Sequence, residues 1–170
     1  MFRYLFPDLK NIGVIYSKKY NHEWVTQTRQ DAKDVNIKII SKSIRRSSEL
    51  GDALREVLPK VDAVWLTSDP VVMSNKDSVQ TFFKHAQKKP IFSYDEVFLN
   101  YGASLIISPD IPTIGFQAAN LANELNNGIE ISERVQDPAG SSITLNLKKV
   151  NQYGIQLNKD ALDSVNNILE

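Results

Sequence analysis

The stretch "VDAVWLTSDPVV" (61–72) decides how the rest of the chain is read. From Ala63 to Leu66 no polar residue interrupts it, and a strand without polar alternation is one covered on both faces, as in parallel sheets flanked by helices. It then ends in three small oxygen-bearing side chains, Thr67, Ser68 and Asp69, followed by Pro70. Proline has no backbone donor and turns the preceding residue away from helix, so the chain leaves the sheet here without entering a helix at once.

Outward from this strand, apolar and amphipathic runs take turns. Towards the N-terminus stand "NIGVIYS" (11–17), "HEWVTQTRQDAKD" (22–34), "NIKIISKS" (36–43) and "SSELGDALREVL" (47–58). Towards the C-terminus follow "SVQTFFKHAQKK" (78–89), "PIFSY" (90–94), a helical turn "DEVFLNY" (95–101), "ASLIIS" (103–108) and "PTIGFQAANLANELNNG" (112–128). The alternation predicts an α/β fold: a three-layer αβα sandwich around a flavodoxin-like parallel sheet of order 2-1-3-4-5. Ser47 or Ser48, Ser74 or Asn75, and Asp110 occupy N-cap positions, and Gly102 and Gly128 suit left-handed helix stops. Trp24, Phe82, Phe83 and Phe116 read as core at helical spacing, and Trp65 as strand packing.

The pattern weakens after Gly128. "IEISERV" (129–135) reads as a further strand, "ITLNLKKVNQYG" (143–154) as a short strand entering a helix capped by Asn146 and Gly154, and "NKDALDSVNNILE" (158–170) as a last helix capped by Asn158. The domain expectation is a lobe over 1–137 and a separate C-terminal extension over 138–170.

With 170 residues, 42% hydrophobic and 24% charged, the chain can fill one core. Twenty basic residues balance twenty acidic ones, which disfavours nucleic acid as a partner. The absence of cysteine removes disulfides, thiolate metal sites and thiol catalysis. No apolar run reaches the roughly 20 residues of a membrane span, and the opening "MFRYLFPDLKN" lacks the layout of a signal peptide.

In an open parallel sheet, ligands meet the carboxyl ends of the strands. Those ends carry Tyr16 and Ser17, then Thr67, Ser68 and Asp69, then Ser93, Tyr94 and Asp95, with Ser108 and Asp110 beyond. The same residue types cap helices and close turns, so each has a structural reading as well. Asp69 stands out: the next helix begins only near Ser74, which leaves its acid free to point into the crevice and meet an amine or a hydroxylated ligand. His22 and His85 have no companions at metal spacing, so no metal site is expected. G-x-G-x-x-G, G-x-x-x-x-G-K-[ST] and G-x-S-x-G are all absent. A phosphoacceptor receiver would need an acidic pair after the first strand, and a flavodoxin a Ser/Thr/Gly-rich loop, where this chain has "SKKYN". An enzyme resting on Asp69 and Asp95 alone defines no reaction class.

Four stretches, "VDAVWLTSDPVVMS" (61–74), "KKPIFSYDEVFLNYGA" (88–103), "IPTIGFQAANLANELNNG" (111–128) and "TLNLKKVNQYGI" (144–155), together resemble the second half of ABC-transporter substrate-binding proteins of the periplasmic-binding type I superfamily. The subgroup suggested is the tryptophan-type or uncharacterised one, with its W-x-x-x-D-P-V element, G-A, G-x-Q-A-A helix and late N-L-K. The resemblance implies a non-catalytic lobe without cofactor or metal that holds a small polar or amphipathic, amino-acid-like solute. Tyr16, Ser17, Thr67, Ser68, Asp69, Ser93, Tyr94 and Asp95 would lie on cleft-facing loops. It further implies hinge closure on a first lobe, missing before Met1, to which residues 138–170 would cross, an ABC permease as partner, and a periplasmic or extracytoplasmic location. With that lobe missing, weak affinity and self-association as a homodimer are expected. The loop "KKYNHEW" (18–24) departs from relatives in lacking their acidic and serine residues. The alternative is a sensory or interaction domain on the same fold that reports ligand to a partner.

Overall fold

A computed structural model describes residues 1–131, 133 and 135–170. The unbroken apolar runs become β1 (Asn11–Ser17), β2 (Lys38–Ile44), β3 (Ala63–Trp65), β4 (Ile91–Ser93) and β5 (Leu105–Pro109), parallel and in the order β2-β1-β3-β4-β5. Register is direct: Ile12 and Val14 pair with Ala63 and Trp65, and Val64 and Trp65 pair with Ile91 and Phe92.

Alternate residues of each strand feed two separate cores. One face, with Ile15, Val64, Leu66, Ile91 and Ile106, is covered by α3 (Leu50–Val57) and α4 (Lys76–Ala86). Helix α3 turns Leu50, Ala53, Leu54 and Val57 inward at helical spacing, and α4 buries Phe82, Phe83 and Ala86. Gly13 sets how closely α3 approaches, since a Cβ there would stand 2.8 Å from Val57 Cγ1. The other face, with Ile12, Val14, Tyr16, Phe92 and Leu105, is covered by α1 (Phe2–Leu5), α2 (Lys18–Asp34) and α6 (Leu147–Tyr153). The opening segment is thus part of the core: Phe2 and Phe6 stack on Phe92 with centroids at 4.9 and 5.3 Å.

The sheet does not stop at five strands. Residues 138–170, read as an extension beyond the lobe, remain on it: β6 (Ser141–Asn146) pairs antiparallel with β5, and β7 (Asn167–Leu169) pairs parallel with β6. The expected strand-to-helix step is present, with Asn146 Oδ1 accepting from Lys149 N and Gly154 at φ 62°. The last segment is not one helix but a 3-10 turn, Lys159–Ser164, capped by Asn158 and followed by β7. "IEISERV" includes residues 132 and 134, which lie outside the described residues; the described residues of that stretch form no strand.

Other expectations divide. Asn75 caps α4 by accepting from Ser78 N, and Gly102 closes the 3-10 turn Glu96–Tyr101 at φ 98°. Neither Ser47 nor Ser48 caps α3, because a 3-10 turn over Ser47–Glu49 runs into it. Phe82 and Phe83 are buried, whereas Trp24 lies over Trp65 at 37% exposure and Phe116 is 74% exposed.

Phe116 belongs to α5 (Ile111–Asn126), which departs most from a sandwich. None of its residues is buried, and it makes no substantial contact with another helix or strand of the described chain. Its polar side holds the returning chain: Gln117 Nε2 donates to Asp137 O at 3.0 Å and Gln117 Oε1 accepts from Ala139 N at 3.1 Å. Ile111 and Leu125 of the same helix are 70% and 63% exposed.

Candidate functional site

The eight residues expected at a site lie along the carboxyl ends of three adjacent strands, β1, β3 and β4. Asp69 ties the first two ends together. Its Oδ2 accepts from Ser17 N at 2.6 Å and Asn21 Nδ2 at 2.7 Å, and its Oδ1 from Val71 N at 2.9 Å and Val72 N at 3.1 Å. The residue is completely buried. The reading of Asp69 as an acid free to face a ligand is therefore corrected: all four bonds are internal, and the carboxylate locks the start of α2 to the turn after β3. The signal was in the sequence, since Asp followed by Pro closes an Asx turn by accepting from the amides two and three residues on.

The remaining residues separate by depth. Tyr16 points to the α2 face and is buried there, one residue before Ser17, which turns to the opposite side. Among the described residues, the hydroxyls of Thr67 and Ser93 are buried without a partner, as is that of Ser104. Ser68 and Asp95 are exposed and Tyr94 is half-buried. Asp95 Oδ1 accepts from Val97 N at 2.9 Å, the cap of its 3-10 turn. Tyr94 sits edge-on to Phe98 at 5.5 Å; burial, and then the charge of Asp95, push its phenol above the ordinary value of 10.0.

Two hollows open on this rim. At the β4–β5–β6 end, one of about 440 Å³ is lined by Tyr94, Asp95, Glu96, Ser108, Asp110 and Ser142. Glu96 Oε1 accepts from Thr144 Oγ1 at 3.1 Å, and Asp110 Oδ2 from Thr113 Oγ1 at 2.6 Å. At the β1–β2 end, one of about 560 Å³ is lined by Ser17, Lys18, Lys19, Ser43, Arg45 and Val71, among others. The rim is thus acidic at one end and basic at the other. Glu96, Ser142, Lys18, Lys19, Ser43 and Arg45 were not singled out as site residues; apart from Glu96 beside Asp95 and the two lysines beside Ser17, only the fold brings them to the rim.

A further hollow, of about 320 Å³ and lined by Asp8, Asp62, Lys88, Lys89 and Tyr153, lies at the opposite ends of the strands. Asp62 Oδ2 is occupied there by Lys10 N and Asn11 N, and Tyr153 donates to Gln87 O at 2.8 Å. These two side chains serve the fold. No cluster of three or more metal-ligating side chains occurs among the described residues.

Comparison with known proteins gives consistent matches. The model of a family described as ABC transporter substrate binding protein matches residues 1–168. A tyrosine-binding protein of Clostridioides difficile (strain R20291) is 28% identical over 131 residues, covering 76% of this chain and 38% of that protein. A conserved domain protein from Vibrio cholerae superposes with a TM-score of 0.75 at 23% identity, over 98% of this chain and 57% of that one. The ABC domain from Streptococcus pneumonia in complex with L-Trp superposes with a TM-score of 0.73 at 19% identity, over 99% and 59%. The chain thus spans well under two thirds of each relative.

Proposed function

The chain belongs to the ABC transporter substrate-binding protein family, and from that premise we propose that it forms one lobe of a solute trap. It takes a small amino-acid-like ligand at the carboxyl ends of β1, β3 and β4, without turnover. The observation that carries this reading is the rim itself. Ser17, Ser68, Tyr94 and Asp95 share one edge of the sheet, where Asp69 ties the end of β1 to the turn after β3, with hollows of opposite charge at its two ends. An amino acid carries both charges and offers a side chain for contact with Tyr94. The names of the relatives, one tyrosine-binding and one holding L-Trp, point to aromatic amino acids as the first solutes to try.

A companion lobe completes the trap. An open rim leaves half of any ligand in water, and tight small-molecule sites enclose most of the ligand surface. Helix α5 supports this reading: it buries no residue, and Ile111, Phe116 and Leu125 on it stand exposed, where a second body would cover them. The contact with that body is then α5 with the chain around it, while β6 and β7 stay on this lobe. Delivery to an ABC permease and work outside the cytoplasm complete the proposal.

Calorimetry on the chain joined to a companion lobe tests it, with L-Tyr, L-Trp and other amino acids as titrants. Binding of at least one is expected, weakened about tenfold by Asp95→Ala, the loss of one charge-assisted bond. No binding by any amino acid, or binding indifferent to both Asp95→Ala and Tyr94→Ala, overturns it.

A further inference from the structure

We propose, on the reading of the rim as one half of a solute trap, that the body closing it is a second copy of this chain. The two rims meet face to face in an isologous dimer, acidic end on basic end, and each copy lays α5 on its partner.

Charge selects the partner. The chain as a whole is neutral, yet its charges are sorted along the sheet. From Lys10 to Arg46, the stretch that builds β1, α2 and β2, the sequence holds nine basic residues and three acidic ones. Between Lys89 and Lys148, the stretch that builds β4, β5, α5 and β6, it holds seven acidic and one basic. With β2 and β1 at one end of the strand order and β5 and β6 towards the other, charge is polarised across the sheet. At the rim the same sorting puts Lys18, Lys19 and Arg45 around one hollow and Asp95, Glu96 and Asp110 around the other. No ion pair among the described residues engages any of these six. A surface of this kind repels a parallel copy of itself and attracts one rotated by a half turn. A twofold axis through the middle of the rim then sets each acidic end on the partner's basic end.

Helix α5 supplies apolar contact and reach. It leaves the carboxyl end of β5, and the chain re-enters the sheet at Ser141, opposite Pro109, so it projects from the acidic end of the rim. Its only charged residue is Glu124. Ile111, Phe116 and Leu125 on it, and Ile129 just beyond, are exposed. In the dimer that end meets the partner's basic hollow, where Tyr20 is 52% exposed and Val71 half-buried, an apolar seat among the cations. At about 1.5 Å per residue the 16-residue α5 is about 24 Å long, and the four strand gaps from β2 to β5 span about 19 Å. Each arm is long enough to cross the partner's rim. With a helix about 10 Å wide, one arm given and one received cover roughly 480 Å², and the rim brings the face to the ~800 Å² per partner of a standard interface. A solute on the rim is then covered by the partner's rim, where an open lobe would leave it half in water.

Sedimentation and light scattering of the chain as it is, over a concentration series at low and at high salt, provide the test. A dimer is expected that weakens as salt rises, because the rim charges are screened. Phe116→Ser and Leu125→Ser should each weaken it about tenfold or more, since each contact is lost twice by symmetry. At a dilution where only monomer remains, both variants should melt as the wild type does, which separates a lost interface from a folding defect. The charge test is reciprocal. Lys18→Glu with Lys19→Glu turns the basic end acidic, Asp95→Lys with Glu96→Lys turns the acidic end basic, and either double variant alone should stay monomeric. Mixed, the two should form a one-to-one heterodimer. A chain that stays monomeric up to roughly 1 mM overturns the proposal and leaves α5 to another partner. So does a dimer indifferent to the α5 and rim variants, as one paired through the β7 edge would be, or a pair of double variants that fails to recombine. If the chain is monomeric while an amino acid binds the two-lobe protein, only the second-copy inference falls. A dimer that passes these tests and binds no amino acid keeps the interface and overturns the solute-trap reading.

Discussion

Helices α3 and α5 make opposite use of apolar residues. Over eight residues α3 buries Leu50, Ala53, Leu54 and Val57 against the sheet; over sixteen, α5 buries nothing, although Ile111, Ile114, Ala118, Leu121 and Leu125 fall on one side at coiled-coil spacing. Composition does not separate the two. Position does: α3 lies between β2 and β3 across a parallel sheet, whereas α5 leaves at the last parallel strand and returns only to form the antiparallel β6. An amphipathic face stabilises a fold only where a partner surface meets it, so α3 adds to the stability of this lobe and α5 adds little.

The comparison breaks or sharpens first at the core. Leu54→Ala should cost about 2–5 kcal/mol in chemical denaturation, because both the transfer energy and a cavity are at stake at a fully buried site. Asp69→Ala should cost about 3 kcal/mol or more in the same measurement, since the amides of Ser17, Val71 and Val72 lose their acceptor in a buried setting. Gly13→Ala, which forces a Cβ against Val57, should cost about 1–3 kcal/mol by overpacking. On α5 the expectation reverses. Leu125→Ser should change the stability of the chain by itself by less than about 0.5 kcal/mol, as for exposed positions generally. In a two-lobe protein the same substitution should be clearly destabilising; a large cost in the single lobe would show that α5 packs on it after all.

The smallest effect is in pH. Burial raises the phenol of Tyr94 in the folded chain, so the neutral form is the one the fold favours. Its contribution is complete below the unfolded value near 10 and fades as pH rises through the higher folded value. The stability of the wild type should therefore fall more steeply above pH 10 than that of Tyr94→Phe, measured by denaturant titration across that range.

Much of this was legible in the residues. The strands were, because an unbroken apolar run such as Ile12–Ile15 has few other folded states, and so was the rim, because polar residues follow each run directly. The resemblance carried the family. The role of Asp69 was misread because a carboxylate after a strand and before Pro70 fits both a free acid and an Asx turn; what excludes the first is the amide of Ser17, 52 residues away in sequence. The basic hollow was half visible, as Lys18 and Lys19 stand beside Ser17, but Arg45 joins them only through the pairing of β1 with β2.

By itself the sequence determined the periodicities: which segments extend, which coil, and the order that right-handed crossovers leave open, since these follow from local backbone geometry and side-chain pattern. The tertiary structure alone decided which polar groups face inward, which apolar faces find a partner, and where like charges gather. Burial and charge proximity are properties of segments brought together across the fold, and no local pattern encodes the neighbour that a side chain will meet.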